Sequence, residues 1–599
     1  MIKRNWRKNG LRALFLAGLV AHVHASAASP SASGPAETVT VLFNAKVFTG
    51  EPAAPYAEAV AIANGQIVAV GERQAVMSSA GARARLVDLH GHFLMPGMID
   101  AHAHPIGHKL LVGGGGMGLV LANYAVETFS ADKLEAFVTA TIARNTSHFG
   151  DVVLITGIDI GYWAHTKELD ALLSGDRFAG IPIVLVGSDG HTAWANATAR
   201  MRARLSASMV RALPAGEQRY FGFNAGFEPN GFVVDHGLTR LLRSLPDPAP
   251  ALLLAAGRAG VQYMNAQGIT AWLDAAVAGV VGGDLPLSTD DPGALPTYRA
   301  LSSRGELTAH VAAYPVIDPA GGLQQLDMAE ALRAQFRDVA NLTMPGIKVF
   351  ADGVVEYPSQ TAALTQPYRN SGRMAPLLFD PAAFNALVAE ADRRGLTVHI
   401  HAIGNLAVKA SLDAIGTARK ANPGGQLPHT ITHAQFVDNE DVGRFAQLRT
   451  IAALQLLWAT ADPSTNEEVA PYIAPAILHT MYPARALLQS GALIAGASDW
   501  SVTDANPFLA IAQAETRSGP QGILGADQRM PREAMLYAYT KNAARALGQE
   551  SRIGTLAPGK SADLVLVDVD VLTVSPDELR KAKVMWTMFE GKIVYGTGP

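Results

Sequence analysis

The sequence predicts an α/β fold. A (β/α)8 barrel of the TIM type carries a small β-sandwich domain built from both termini and an insertion after the first barrel strand. Three features predict this. Eight short apolar segments alternate with helical stretches through the middle of the chain, the pattern of βα units. Val- and Ile-rich hairpin patterns stand at both ends. Histidine, lysine and aspartate fall at the C-terminal ends of the middle segments, the rim on which such barrels carry their chemistry.

In chain order, the first element is a secretory signal (1–27). Lys3, Arg4, Arg7, Lys8 and Arg12 precede a short apolar core, Ala13 to Ala21, and Ala25-Ser26-Ala27 fits an A-x-A cleavage site. That core is too short to span a bilayer, so a secreted or periplasmic protein without a stable membrane anchor is expected. Ser31 to Glu37 reads as a linker. Val39 to Phe48 and Ala59 to Gly71, with Asn64-Gly65 at a turn, belong to the β-sandwich domain (38–91). Residues 548–599 complete it through Ala562 to Asp570 and Val584 to Gly596.

The barrel occupies 92–547. Its strands are expected at His92 to Asp100, Gly268 to Asp274, Leu307 to Tyr314 and Gly346 to Ala351, then at Leu396 to His401, Thr430 to His433, Thr450 to Gln455 and Ala492 to Ser498. Residues 105–261 form the insertion, with strands of their own at 151–159 and 181–190. An insertion in a βα loop lies over the catalytic face.

Composition narrows the chemistry. The 599 residues include no cysteine, which excludes disulfides, thiol nucleophiles and Cys-ligated zinc or iron–sulfur centres. The formal net charge is −4, and it becomes −9 without the five basic residues of 1–27, when 43 Lys and Arg face 52 Asp and Glu. Nothing basic is left over to neutralise phosphates, so no nucleic-acid partner is expected. Beyond the signal no run of 18 apolar residues occurs, and the mature chain is expected to be soluble.

His102 and His104 end the first strand in MIDAHAHP. Residues two apart on a strand share a face, so both imidazoles converge on one point, as nitrogen ligands of a divalent ion must. His399 and His401 repeat the spacing on the fifth strand; His433 ends the sixth in TITH, and Asp499 follows the eighth in GASDW. Buried histidine and aspartate are costly unless paired or ligating, so four strand ends bearing them point to a metal. Parity turns both His399 and His401 inward and does not choose between them. Lys348, in GIKVFADG of the fourth strand, has apolar neighbours. Burial favours its neutral amine, which CO2 would carboxylate into an anionic bridge between two metals. Trp163, His165 and Trp458 are candidate pocket-lining residues. The glycine-rich Leu111 to Leu119 lacks the Lys-Ser/Thr of a phosphate loop and reads as a flexible active-site loop.

Taken together, HAH, Lys, His, His and Asp on strands one, four, five, six and eight resemble the amidohydrolase superfamily. ANGQIVAVG and LVDLHGHFLMPGMIDAHAHP at the front, and YTKNAARALGQESRIGTLAPGKSADLVLVD at the back, carry the same resemblance. SDGHTAWAN, FADGVVEYPSQTAAL, HIHAIGN, HAQF and SDWSVTDANPF resemble its amidohydrolase-3, YtcJ-like branch, which includes N-substituted formamide deformylase. The resemblance implies that His102 and His104 hold the more buried metal and that Lys348, carboxylated, bridges. It implies His401, immediately before the Ala-Ile-Gly turn, rather than His399, as the fifth-strand ligand. With His433 it would hold the second metal, while Asp499 binds metal and acts as base. His191, in the Asp-Gly-His of the insertion, would face the substrate. This chain has Asn405 where the family often has Asp, and an expanded VVEYPSQ segment after FADG.

The function expected is that of a metal-dependent amidohydrolase cleaving a non-peptide C–N bond of a small amide, N-substituted or cyclic, with a metal-activated water. Catalytic roles fall to Asp499, His433 and His191, and the cofactor to one or two divalent ions, Zn2+ first. A homodimer is compatible with this reading. A lactonase or phosphotriesterase-type hydrolase would use the same ligands. A non-catalytic binding protein would predict a broken ligand set, and every expected ligand is present.

Overall fold

The computed structural model describes residues 39–598 apart from 110, 112–113, 127, 146 and 280–286. The expected signal segment and linker lie outside the described residues. Eight parallel strands carry the middle of the chain. They are β1 Met98–Ala103, β2 Ile269–Asp274, β3 His310–Ala313, β4 Gly346–Phe350, β5 Thr397–Ala402, β6 Thr430–His433, β7 Ile451–Leu454 and β8 Leu493–Gly496. β1 to β3 form a four-stranded sheet with the short Leu342–Thr343, and β4 to β8 form a five-stranded one.

Parallel strands covered on both faces must be apolar almost throughout, and all six residues of β2 are buried. The two sheets are hydrogen-bonded to each other at both edges. Lys348 N donates to Pro315 O at 2.8 Å and Ile317 N to Lys348 O at 2.9 Å. On the other side Asp499 N donates to His102 O at 2.8 Å and His104 N to Trp500 O at 2.7 Å. Helices fill the connections; Pro381–Arg393, for example, starts on a proline and is capped by Asp380, whose carboxylate accepts from Ala382 N and Ala383 N.

His92 to Asp100, expected as one strand, is two. Phe93–Pro96 pairs with Thr40–Phe48 and with Leu564–Val567, so it belongs to the sheet of the termini. β1 begins after Gly97. The two neighbouring amides serve different sheets: Gly97 N donates to Asp563 O at 2.8 Å and Met98 N to Gly268 O at 2.9 Å. Glycine permits the crowding, since a Cβ at Gly97 would stand 2.1 Å from Oγ1 of the buried Thr270. Gly97→Ala is therefore expected to destabilise the fold by about 1–3 kcal/mol. A thermal midpoint equal to wild type contradicts this.

The terminal sheet has eight strands in one hydrogen-bonded array, running from Lys592–Gly596 through Phe93–Pro96 to Gln66–Gly71. The insertion has its own seven-stranded sheet, in which the expected segments appear as Val152–Ile158 and Ile183–Gly187, paired in parallel. The glycine-rich segment expected as a flexible loop is helical over Gly115–Val120. Its glycines allow contact: a Cβ at Gly115 would meet the Trp500 ring at 2.5 Å, and one at Gly116 would meet Ala256 O at 2.1 Å. Among the described residues no helix is long and apolar enough to cross a membrane.

Candidate metal centre

The C-terminal ends of β1, β4, β5 and β6, with the residues after β8, open into one pocket. His102, His104, Lys348, His401, His433 and Asp499 all line it, and so does His191 from the insertion. Register explains the convergence. Lys348 pairs with His399, Phe350 with His401 and Ala402 with His433, so side chains two apart on adjacent strands climb the same wall.

The tightest part is His102, His104 and Asp499, whose ligand atoms lie within 4.8 Å of one another. Nε2 of His102 and Nε2 of His104 each stand 3.2 Å from Asp499 Oδ1. That oxygen has no hydrogen-bond partner although it is buried. A tetrahedral ion with bonds of about 2.0–2.1 Å separates its ligands by about 3.3 Å. The two Nε2–Oδ1 separations match two edges of such a coordination tetrahedron.

His401 and His433 join the group through ring contacts, with centroids 4.5 Å apart, and His433 is 4.9 Å from His102. The other ring nitrogens are already engaged. His433 Nδ1 lies 3.0 Å from Gln455 Oε1, and His401 Nε2 lies 3.1 Å from Gly353 O. His433 Nε2 and His401 Nδ1 are the nitrogens left for an ion. Lys348 Nζ is fully buried, without a hydrogen-bond partner, and 4.5 Å from the centre of the Phe350 ring.

The electrostatics keep donors in ligating form. Burial, then the Lys348 charge, pushes His102 down to about 3, and burial holds His401 and His433 well below the ordinary imidazole value. Lys348 is pushed down to about 7 by burial, against the pull of Asp499. For Asp499 burial opposes the carboxylate, but His102 and His104 outweigh it and hold it ionised, well below the usual range. Neutral imidazoles and an ionised carboxylate are what a divalent cation requires. His433 and Asp499 also have left-handed backbones, with φ of 69° and 57°. Non-glycine residues hold that conformation at a cost, and such residues gather at working sites.

His399 stands apart from the pocket lining. Its Nε2 lies 2.6 Å from His102 Nδ1, beneath that ring. Trp458 stacks on His433, with ring centres 5.4 Å apart, whereas Trp163 is packed in the insertion against Thr192 and His165 on Phe129. Asn405, at the start of its helix, donates to Asp438 and to Thr365. An aspartate there would face Asp438, so the amide suits this neighbourhood.

The sequence reading missed three carboxylates. Asp100 accepts from Ser498 and from His102 N, tying β1 to the segment after β8. Asp352 accepts from the amides of Ala363, Ile403 and Gly404, fixing the turn after His401. Asp235 accepts from His191 Nδ1 at 2.8 Å. Asp100 lies within MIDAHAHP and Asp352 within FADG, whereas Asp235 belongs to neither motif.

Burial opposes the His191 imidazolium, but the hydrogen bond and charge of Asp235 outweigh it and raise the group to about 9. A pKa above the ordinary 6.5 means that the folded state binds the proton more tightly. The stabilisation is then complete below pH 6.5 and fades as pH rises through about 9. The thermal midpoint of wild type minus that of Asp235→Asn should shrink over that interval. A difference that does not change with pH contradicts the assignment.

The chain matches the amidohydrolase family over residues 85–595. It is 27% identical to the protein LONG AFTER FAR-RED 3 of Arabidopsis thaliana, over 92% of this chain and 91% of that protein. It is 23% identical to the putative amidohydrolase YtcJ of Bacillus subtilis, over 90% and 96% respectively. The N-substituted formamide deformylase of Arthrobacter pascens is 22% identical, over 93% of this chain and 98% of its own length. Among solved structures, an uncharacterized metal-dependent hydrolase from Pyrococcus horikoshii superposes with a TM-score of 0.67 at 21% identity. It spans 90% of this chain and 99% of its own, a likeness of fold.

Proposed function

The chain belongs to the amidohydrolase family, in its YtcJ-like branch, and from that premise we propose that it is a metal-dependent hydrolase of non-peptide C–N bonds. N-substituted formamides are the first substrate class. The observation that carries the reading is the group of His102, His104 and Asp499, in which Asp499 Oδ1 stands 3.2 Å from both Nε2 atoms and all three ligand atoms lie within 4.8 Å of one another. The eight parallel strands are read as a closed barrel, supported by the hydrogen bonds at both edges of the two sheets, and the terminal sheet as its β-sandwich companion. The ion proposed is Zn2+, which His102, His104 and Asp499 would hold, while His401, His433 and a carboxylated Lys348 would hold a second.

A bound divalent ion supplies Lewis acidity and a water of lowered pKa. The protein's own groups do the rest. Asp499 Oδ2 is positioned to take a proton from the attacking water and return it to the leaving nitrogen. His191, from the insertion, would donate from Nε2 to the carbonyl oxygen. Leu111, Leu238, Val316, Leu378 and Val502 line the pocket and would take an apolar N-substituent. A small-molecule substrate, and export of the mature chain, complete the reading.

The test is turnover by the metal-loaded protein of N-benzylformamide, a γ-lactone and an aryl phosphotriester, before and after chelation. The formamide should be hydrolysed fastest and its hydrolysis should stop on metal removal. Preference for the lactone or phosphotriester overturns the C–N assignment.

A further inference from the structure

We propose that Asp235, a residue of the insertion, is the positioning residue for His191. It fixes the imidazole over the pocket so that Nε2–H meets the carbonyl oxygen of a bound amide, an inference that rests on the amide-hydrolase reading above. The two residues meet twice. Asp235 Oδ1 is 2.8 Å from His191 Nδ1, and Asp235 N donates to His191 O at 2.9 Å. Because the carboxylate takes Nδ1–H, the ring orientation is set, and the imidazolium it stabilises carries its second N–H at Nε2, on the pocket side.

Each partner is itself held. His191 sits in a turn around Asp189, whose Oδ1 accepts from His191 N at 3.1 Å, Thr192 N at 3.0 Å and Thr192 Oγ1 at 2.8 Å. Asp235 has a strained backbone, with φ of 46° and ψ of −110°. Its second oxygen lies against the loop after β4: a Cβ at Gly353 would stand 2.9 Å from Asp235 Oδ2 and 2.1 Å from Thr361 Oγ1. Gly353 thus leaves room for the carboxylate, and its own carbonyl accepts from His401 Nε2. One carboxylate therefore joins the insertion, the loop after Lys348 and the neighbourhood of His401. A surface ion pair needs none of this. Both residues line the same pocket as the metal-ligand candidates.

The experiment uses the full-length, metal-loaded protein labelled with 15N-histidine, and N-benzylformamide as substrate. The His191 signals are assigned by their loss in His191→Gln. Asp235→Asn should lower kcat about 10²-fold with little change in KM and unchanged metal content, and it should shift the His191 Nδ1 resonance. The double variant should be no slower than His191→Gln alone, because the two residues act as one unit. Asp235→Glu, which keeps the charge but moves it, should keep the fold and regain only part of kcat. Wild-type kcat in Asp235→Asn, losses that multiply in the double variant, or metal lost from Asp235→Asn would each overturn the proposal. If wild type hydrolyses none of the amides, the functional reading fails by itself. Asp235 is then judged on the spectrum, where an unmoved His191 Nδ1 resonance overturns its role.

Discussion

Replacing Asp499 by Asn should lower kcat for the preferred amide about 10³-fold or more. Asp499 is asked to do two things. Its Oδ1 stands 3.2 Å from both His102 Nε2 and His104 Nε2, and its Oδ2 is 3.9 Å from His433 Nδ1. Asparagine keeps the shape and one neutral oxygen but cannot accept a proton at Oδ2. It also removes the charge that draws a cation to the two imidazoles, so metal should be held more weakly as well. The fold should survive, because Asp499 N still donates to His102 O. An Asp499→Asn protein with wild-type turnover would remove the base assignment.

Replacing Lys348 by Met should lower kcat about 10²-fold or more and reduce bound metal to at most one ion per chain. The same change should leave the metal-free protein at least as stable as wild type. Lys348 Nζ is buried and makes no hydrogen bond, and it stands over the Phe350 ring. A buried amine without partners is a burden that an apolar side chain of similar length relieves. A structural lysine would behave in the opposite way, with a large loss of stability and no change in metal content. Metal content and stability moving apart in this variant is therefore the test of the proposed carboxylated bridge.

Much of the fold was legible because parallel strands buried on both faces are written as apolar runs, and a histidine or lysine inside one is conspicuous. Lys348, His401 and His433 stand out for that reason, Asp499 follows such a run in GASDW, and the two-residue spacing of His102 and His104 adds direction. Parity alone could not separate His399 from His401. The structure distinguishes them by neighbours: His399 lies under His102, whereas His401 lines the pocket. The break at Gly97 was hidden, because the residues on either side are equally apolar and only the long-range partners Asp563 and Gly268 divide them. Asp235 was hidden for a related reason. It lies 44 residues from His191, and nothing in its local sequence marks a pairing that the insertion's fold creates. The glycines at 115 and 116 suggested flexibility, while their role is close packing against Trp500 and Ala256.

The most direct test is the divalent-metal content of the purified full-length protein, measured by elemental analysis alongside hydrolysis, for wild type and for His102→Ala/His104→Ala. One or two ions per chain in wild type, lost together with activity in the variant, is the predicted result. A variant that hydrolyses at the wild-type rate with no bound metal would contradict the assignment of this cluster as the metal centre.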